Sequence, residues 1–231
     1  MKTMYLLPML LADNTHKKVL TPYAIDVIKE VKVFFVENIK TTRRFLSSLK
    51  LGIVIDDVEF IEINQDSKFD EIFAIIYSLK VNAGIISEAG CSGIADPGAL
   101  IVEVAHQLQW NVVPLVGPNS ILLALMASGF NGQSFAFHGY LPIKELEREK
   151  KIKFLEREAA SKKQTQIFME TPYRNNQILA SLLKNLSPST RLCIASDITS
   201  EQEYIKTKSI QSWRSGALPD INKKPTIFLI Y

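Results

Sequence analysis

Residues 83–105 read AGIISEAGCSGIADPGALIVEVA: an apolar run of strand length, a polar loop and a segment of helical period. The loop, from Glu88 to Gly98, takes about eleven residues, whereas a strand and its following helix are usually joined by about two to six. Loops of that length in compact domains are typically functional. The stretch therefore predicts a strand, a binding loop and a helix, the repeating unit of an α/β fold.

Glycine and aspartate residues in this loop indicate how it would hold a ligand. Gly90 and Gly93 have no side chain, so a ligand can approach the main chain closely there. Asp96 precedes Pro97, which predicts an N-cap acceptor followed by proline at the first helical position. The alternative is a structural loop, in which the glycines only make turns and Asp96 only caps the helix.

The rest of the chain repeats this alternation of strands and helices. Strands are predicted at 4–8, 32–36, 58–63, 83–87 and 112–116, and helices at 21–31, 41–49, 69–80 and 99–109. Further helices and strands follow from residue 119 to the end, including a charged helical stretch at 144–163. We predict two α/β domains with mostly parallel sheets, residues 1–116 and residues 117–231.

Composition excludes several classes of protein. The 231 residues are 47% hydrophobic and carry a net charge of +3, which permits a nucleic-acid partner without indicating one. Cys91 and Cys193 are far apart, and no residues stand at metal-ligand spacing, so we predict neither a disulfide framework nor a metal site. Apolar runs are too short for a membrane helix and the N-terminus lacks a cleavage site. A soluble, cytoplasmic protein is expected, with no membrane partner.

Two further loops also follow predicted strands. Residues 117–120, GPNS, lead directly into a helix, and residues 170–174, ETPYR, do the same in the second half. In open α/β sheets, ligands bind outside the carboxyl ends of the strands. Neither loop contains a phosphate-binding fingerprint, so the pattern favours a compact ligand that is not a di- or triphosphate.

Several motifs together resemble a known family. SEAGCSGIADPG is similar to the S-D-A-G-T-P-G-I-S-D-P-G signature of the tetrapyrrole-methylase-like (class III) S-adenosylmethionine methyltransferases. The segments VPLVGPNSILLALMASG, FAFHGYLP and FMETPYR resemble later motifs of the branch that methylates a cytidine ribose 2′-hydroxyl in small-subunit ribosomal RNA. ENIKTTRRFL is a looser echo of that branch's E-D-T-R-x-T-R-x-L-L. The matches run in order from about residue 37 to residue 175.

The resemblance implies an S-adenosylmethionine-dependent methyltransferase with the tetrapyrrole methylase fold. Two α/β domains would hold the cofactor in a cleft between them, and a homodimer is usual. Carried over by position, the cofactor-binding residues are Gly90, Ile94, Ala95, Asp96, Asn119, Ser120, Glu170 and Pro172.

The chain departs from the ribosomal RNA branch at its presumed substrate loops. LPMLLAD stands in place of T-P-I-G-N-L, ENIK in place of E-D-T-R, and SDITS in place of R-E-L-T-K. The acceptor therefore stays open: ribosomal RNA, a small molecule such as a tetrapyrrole, or no acceptor at all if the chain is a non-catalytic S-adenosylmethionine-binding module.

Methyl transfer to a hydroxyl needs a base within hydrogen-bonding reach of that hydroxyl. The candidate catalytic residues are Glu170, Glu88 and Glu37, which the sequence does not rank. Arginine presents a planar fork suited to phosphate, so the candidate substrate-binding residues for an anionic acceptor are Arg43, Arg44 and Arg174.

Overall fold

A computed structural model describes all residues from Met1 to Tyr231. The chain divides into two compact units, Met1–Asn119 and Ser120–Tyr231. This division lies just after the boundary predicted between residues 116 and 117.

Unit 1 alternates strands and helices around a parallel sheet. Its strands are β1 (Thr3–Met9), β2 (Val33–Val36), β3 (Glu59–Glu62), β4 (Ala83–Ile86), β5 (Gly90–Cys91) and β6 (Asn111–Pro114). Its helices are α1 (His16–Val19), α2 (Pro22–Glu30), α3 (Ile39–Ser48), α4 (Phe69–Ser78) and α5 (Gly98–Gln107), with a 3-10 turn at Ile55–Asp57. The strands lie in the order β3-β2-β4-β1-β6, all parallel, while the two-residue β5 pairs antiparallel with the end of β1.

The central strands of unit 1 are covered on both faces, which explains their uninterrupted apolar sequences. Phe34 packs with α2 and α3 on one face, and its neighbour Phe35 packs with α4 and α5 on the other, as the alternation of side chains along a strand requires. Side chains also fix where helices begin: Asn38 accepts a hydrogen bond from the Thr41 amide at 3.0 Å and so caps α3. Glu37, the residue before this cap, is thereby held at the carboxyl end of β2.

Unit 2 is built around a mixed sheet. Its strands are β7 (Phe135–Tyr140), β8 (Thr165–Met169), β9 (Arg191–Ser196), β10 (Tyr204–Ser209) and β11 (Thr226–Ile230). Its helices are α6 (Ser120–Ser128), α7 (Glu145–Lys162), α8 (Asn175–Asn185) and α9 (Ile210–Ser215), with a 3-10 turn at Pro172–Arg174.

The sheet order in unit 2 is β10-β9-β11-β8-β7, and only the β7–β8 pair is parallel. The prediction of mostly parallel strands therefore describes unit 1 better than unit 2. The connection from β9 to β10 is short, and a parallel crossover needs about a dozen residues or more. Adjacent strands joined by so short a loop must run antiparallel.

The charged stretch predicted at 144–163 forms the long helix α7. Its apolar stripe, which includes Ile152 and Leu155, joins α8, α9 and the sheet in the core of unit 2. Arg148 is buried and satisfied, because Nε donates to Ser181 Oγ at 3.0 Å and Nη1 donates to the Ile143 carbonyl at 2.7 Å. Every helix of the chain is either too short or too polar to span a membrane.

A close backbone contact between β1 and the loop after β6 gives a direct test of the packing in unit 1. A Cβ atom at Gly117 would lie 2.0 Å from Pro8 Cβ, and the proline ring cannot rotate away. Gly117→Ala is therefore expected to lower the free energy of unfolding by about 1–3 kcal/mol. Gly132→Ala is the control, since a Cβ there meets nothing within 4 Å. Urea denaturation of both variants measures the difference, and equal stabilities would contradict the packing described.

Candidate active site

The loop between β4 and α5 is organised by the carboxylate of Asp96. The amide of Gly93 donates to Oδ1 and Oδ2 at 3.0 and 2.8 Å, that of Ile94 to Oδ2 at 3.3 Å, and that of Gly98 to Oδ1 at 2.7 Å. Asp96 is not the N-cap that the sequence predicted: α5 begins at Gly98, and Pro97 occupies the cap position without a side-chain hydrogen bond. The carboxylate instead fixes the turn that precedes the helix.

The same turn holds a residue in an unfavourable backbone conformation. Ala95 has φ of +63°, in the left-handed region that residues other than glycine rarely adopt. Strain of this kind costs about 1–3 kcal/mol and is concentrated at functional sites. Ile94 and Ala95 are both exposed, so the loop presents its main chain and two apolar side chains to solvent.

A buried serine that sequence reasoning missed ties this loop to the sheet. Ser92 Oγ accepts a hydrogen bond from the Ser87 amide at 3.2 Å and lies 2.9 and 3.0 Å from the carbonyl oxygens of Leu7 and Ile85. These carbonyls belong to β1 and β4. The loop is therefore anchored at the carboxyl ends of two neighbouring strands, a role that the residue type alone does not reveal.

Gly90 and Cys91 bring the loop against the segment that follows β6. A Cβ atom at Gly90, where φ is +74°, would lie 3.2 Å from the Pro118 carbonyl oxygen. Cys91 Sγ donates to that oxygen at 3.3 Å. Burial raises the pKa of the Cys91 thiol, which a hydrogen bond with Asn119 opposes. The thiol is therefore a structural donor, and two predicted cofactor residues, Gly90 and Asn119, lie at the same edge of the sheet.

Three carboxylates converge at that edge. The Glu88 amide donates to Glu37 Oε1 at 2.9 Å, which joins the carboxyl end of β2 to that of β4. Burial raises the pKa of Glu37; the bond from the Glu88 amide lowers it, and the negative charges of Asp96 and Glu88 raise it further. Glu37 Oε2 accepts no hydrogen bond from the protein. The raised pKa of Glu37 and its unoccupied Oε2 are two properties that a general base needs.

Four of the predicted residues lie in unit 2: Ser120, Glu170, Pro172 and Arg174. Glu170 is buried, and its Oε1 accepts hydrogen bonds from the Thr171 amide at 2.6 Å and from Arg174 Nε at 3.0 Å. Arg174 Nη2 also contacts Oε1 in an ion pair. Pro172 begins the 3-10 turn between them, and Ser120 is the first residue of α6. The Glu170–Arg174 ion pair holds this turn in place, so Glu170 Oε1 and the Arg174 guanidinium are already engaged with each other.

The two remaining predicted arginines lie on α3 in unit 1. Arg43 Nη2 donates to Asp56 Oδ1 at 3.0 Å in an ion pair with two exposed partners, and such a pair contributes only about 0–1 kcal/mol. Arg44 is exposed. Both side chains can therefore reach an anionic partner.

The residues present in unit 1 fit a ligand of the predicted kind. Carboxylates suit ribose hydroxyls as acceptors and a sulfonium cation by charge. Glycines and a strained turn allow close approach to the backbone. S-adenosylmethionine has both the ribose hydroxyls and the sulfonium cation that these protein groups suit. The absence of phosphate-binding glycine motifs agrees with a ligand that has no phosphate.

Comparison with known proteins agrees with this chemistry. Residues 16–212 match the family described as Tetrapyrrole (Corrin/Porphyrin) Methylases. Ribosomal RNA small subunit methyltransferase I of Bacillus subtilis is 34% identical over 185 residues, covering 79% of this chain and 60% of that protein. The protein of the same name from Buchnera aphidicola is 29% identical over 208 residues, covering 88% of this chain and 68% of that protein. The chain thus spans under two thirds of the Bacillus relative.

Solved structures show the same fold. The methyltransferase CobJ superposes with a TM-score of 0.63 at 14% identity, covering 100% of this chain and 94% of that chain. Uroporphyrin-III-C-methyltransferase from Thermus thermophilus gives a TM-score of 0.55 at 16% identity, with the same coverage. The chain belongs to the tetrapyrrole (corrin/porphyrin) methylase family of S-adenosylmethionine-dependent methyltransferases, which confirms the fold class, the enzyme class and the methyl donor predicted from the sequence.

Proposed function

We propose that this enzyme transfers a methyl group to a ribose 2′-hydroxyl of small-subunit ribosomal RNA, with Glu37 as the general base. The observation that carries the proposal is the position of Glu37: one carboxylate oxygen is held by the Glu88 amide, and the other accepts nothing from the protein. Its raised pKa brings its proton affinity closer to that of a base working near neutral pH.

The proposed reaction is an in-line displacement. S-adenosylmethionine, when bound, supplies a methyl group on a positively charged sulfur. Glu37 Oε2 takes the proton of the acceptor hydroxyl as the oxygen–carbon bond forms and the carbon–sulfur bond breaks, which leaves a neutral thioether. The rest of the protein's contribution is positioning and exclusion of water, to which the rigid loop around Asp96 is suited.

Donor binding is assigned, by the same proposal, to the loop residues that Asp96 and Ser92 hold in place. That loop contains Gly90, Ile94, Ala95 and Asp96. Asn119 lies beside the loop, where it hydrogen-bonds with Cys91. The backbone of a left-handed turn exposes N–H groups that can bind the polar ends of a ligand. Replacing Asp96 would release three backbone amides at once.

The RNA acceptor is supported by the names of the relatives and by the arginines on α3. Arg44 is free of a protein partner, and the exposed Arg43–Asp56 pair can open at little cost. The net charge of +3 favours an anionic partner weakly. We also propose, from the resemblance to the family, that the enzyme is a homodimer. A cytoplasmic location is supported by Cys91 and Cys193, which are both free thiols, as a reducing compartment permits.

A small-molecule acceptor is the second candidate. It is favoured by the engagement of Arg43 and Arg174 with carboxylates, which leaves Arg44 as the one unpaired residue among the three predicted substrate-binding arginines. The distinguishing experiment offers the purified enzyme tritiated S-adenosylmethionine with either small ribosomal subunits assembled on unmodified RNA or uroporphyrinogen III. We expect tritium in the RNA and none in the tetrapyrrole.

Two results would count against the RNA acceptor. Label in the tetrapyrrole alone would establish the second candidate. Label in neither acceptor, with S-adenosylmethionine bound normally, would indicate the non-catalytic binding module. Salt dependence is an internal control, because binding through phosphate contacts weakens steeply as salt rises.

A further inference from the structure

A cavity of about 340 Å³ lies beside the Asp96 loop, within unit 1. It is open to solvent and is bounded by the turn after β3 on one side and by the end of the loop with the first turn of α5 on the other. Its lining residues are Asn64, Gln65, Ser67, Ala95, Asp96, Pro97, Ala99 and Leu100. The volume is at the small end of the about 300–1,000 Å³ found for ligand sites, so it suits one compact group.

The two sides of this cavity differ in chemistry. Pro97, Ala99 and Leu100 provide an apolar surface, on which a flat ring can pack. Across from them, the Gln65 side-chain amide has no partner in the protein. Asn64 Oδ1 accepts a hydrogen bond from the Asp66 amide at 2.8 Å, which leaves the Asn64 NH₂ group free to donate.

The charge of the lining residues further restricts which class of ligand the cavity can bind. No lysine or arginine lines the cavity, so it offers nothing to neutralise a phosphate. The oxygens of Asp96 are taken up by the amides of Gly93, Ile94 and Gly98. The remaining polar groups are neutral donors and acceptors, which match the hydrogen-bonding edge of a nucleobase.

The cavity lies at the same edge of the sheet as the proposed base. In the sheet, β2 lies between β3 and β4, so Glu37 at the end of β2 stands between the turn after β3 and the loop after β4. Asp96, which lines the cavity, is close enough to Glu37 for its charge to act on that carboxylate. A ligand ring in the cavity would therefore place an attached ribose near Glu37.

We propose that this cavity receives the nucleobase of the acceptor nucleotide, which packs on Pro97 and Leu100 and pairs with the side-chain amides of Gln65 and Asn64. The inference rests on the proposed function, since it takes the acceptor to be a nucleotide. The donor is the less suitable occupant, because residues 64–67 lie outside every segment that resembles the family's cofactor motifs. Among the cofactor-binding candidates, only Ala95 and Asp96 line the cavity.

Two variants test the proposal. Gln65→Ala removes hydrogen bonds to the base, and Ala99→Leu fills the cavity with a larger side chain. Each is expected to weaken binding of the nucleoside cytidine about tenfold, the equivalent of one or two hydrogen bonds. Cytidine binding is followed by amide chemical-shift changes at residues 64–67, 95, 96 and 98–100. S-adenosylmethionine binding is followed by calorimetry, and its affinity is expected to change less than twofold.

Matched controls are available on exposed helix positions away from the cavity. Gln107→Ala on α5 and Ala180→Leu on α8 make the same chemical changes at exposed sites, and neither is expected to alter cytidine binding. A loss of S-adenosylmethionine affinity in Gln65→Ala, with cytidine binding unchanged, would assign the cavity to the donor and overturn the proposal. Failure of the wild-type protein to bind cytidine would also overturn it.

Methyl transfer to RNA separates this inference from the proposed function. If the wild-type enzyme methylates RNA and Gln65→Ala leaves the KM for RNA unchanged, the cavity assignment fails while the function stands. If the wild-type enzyme does not methylate RNA but binds cytidine in a way that depends on Gln65, the function fails while the cavity assignment stands.

Discussion

Replacing Glu37 with glutamine is expected to lower kcat for methyl transfer by about 10²- to 10⁴-fold, the range for loss of a positioned general base. Glutamine keeps an oxygen for the Glu88 amide, so the end of β2 and the loop after β4 should stay joined. The affinity for S-adenosylmethionine should change less than kcat. Single-turnover transfer of labelled methyl groups and calorimetry of donor binding measure the two effects separately.

The pH dependence gives this prediction a second readout. Because the base must be deprotonated, wild-type activity should fall as pH drops through the raised pKa of Glu37, and this limb should be missing from the residual activity of Glu37→Gln. The folded protein binds the Glu37 proton more tightly than the unfolded chain does. Stability therefore decreases as pH rises from the ordinary glutamate pKa through the folded one, and Glu37→Gln should be at least as stable as wild type at neutral pH.

Glu59→Gln is the matched control, since Glu59 is an exposed residue of β3. It should retain wild-type kcat and the acid limb. Loss of a general base should lower kcat by at least about 10²-fold. If kcat of Glu37→Gln instead stays within about threefold of wild type, Glu37 is not the general base. Glu88, which is exposed beside it, would then be the next candidate.

The second large effect is expected for Asp96→Ala. The substitution removes the acceptor of three backbone amides, and hydrogen bonds to a charged group contribute about 1.5–3 kcal/mol each. With Ala95 already in a left-handed conformation, the turn should lose its ordered shape. The dissociation constant for S-adenosylmethionine is expected to rise at least about tenfold, equivalent to about 1.4 kcal/mol.

Calorimetric titration of Asp96→Ala beside Asp57→Ala tests this expectation. Asp57 lies in the exposed 3-10 turn before β3, so its substitution should leave donor affinity unchanged. Unaltered affinity in Asp96→Ala would mean that the ordered turn is not part of the donor site.

Much of unit 1 was predictable because its signals are local. Apolar strand runs covered on both faces and helices with regular periodicity specify a parallel α/β domain without knowledge of distant contacts. Unit 2 was less predictable, since a strand's direction depends on the partner beside which it lies. Only the short connection between β9 and β10 indicates antiparallel pairing from the sequence.

In the candidate site, too, features set by the local sequence were predictable and features set by distant contacts were not. The loop containing Gly90 and Asp96 was predictable from its length and glycines, but the function of Asp96 was not, because the three amides it binds depend on the turn's conformation. The proposed ranking of Glu37 over Glu88 and Glu170 also could not be predicted from the sequence. It depends on strand order, which brings β2 beside β4, and on the Glu170–Arg174 ion pair, which engages one oxygen of the competing carboxylate.

The most direct test of the account is the chemistry of the methylated RNA product. Small-subunit RNA labelled by the enzyme is hydrolysed with alkali, which cuts the chain only where a free 2′-hydroxyl remains. Methylation of the ribose predicts that the label is recovered in an alkali-resistant dinucleotide. Label recovered in ordinary mononucleotides would mean that a base was methylated, and would contradict the assignment of Glu37 as the base that deprotonates a ribose hydroxyl.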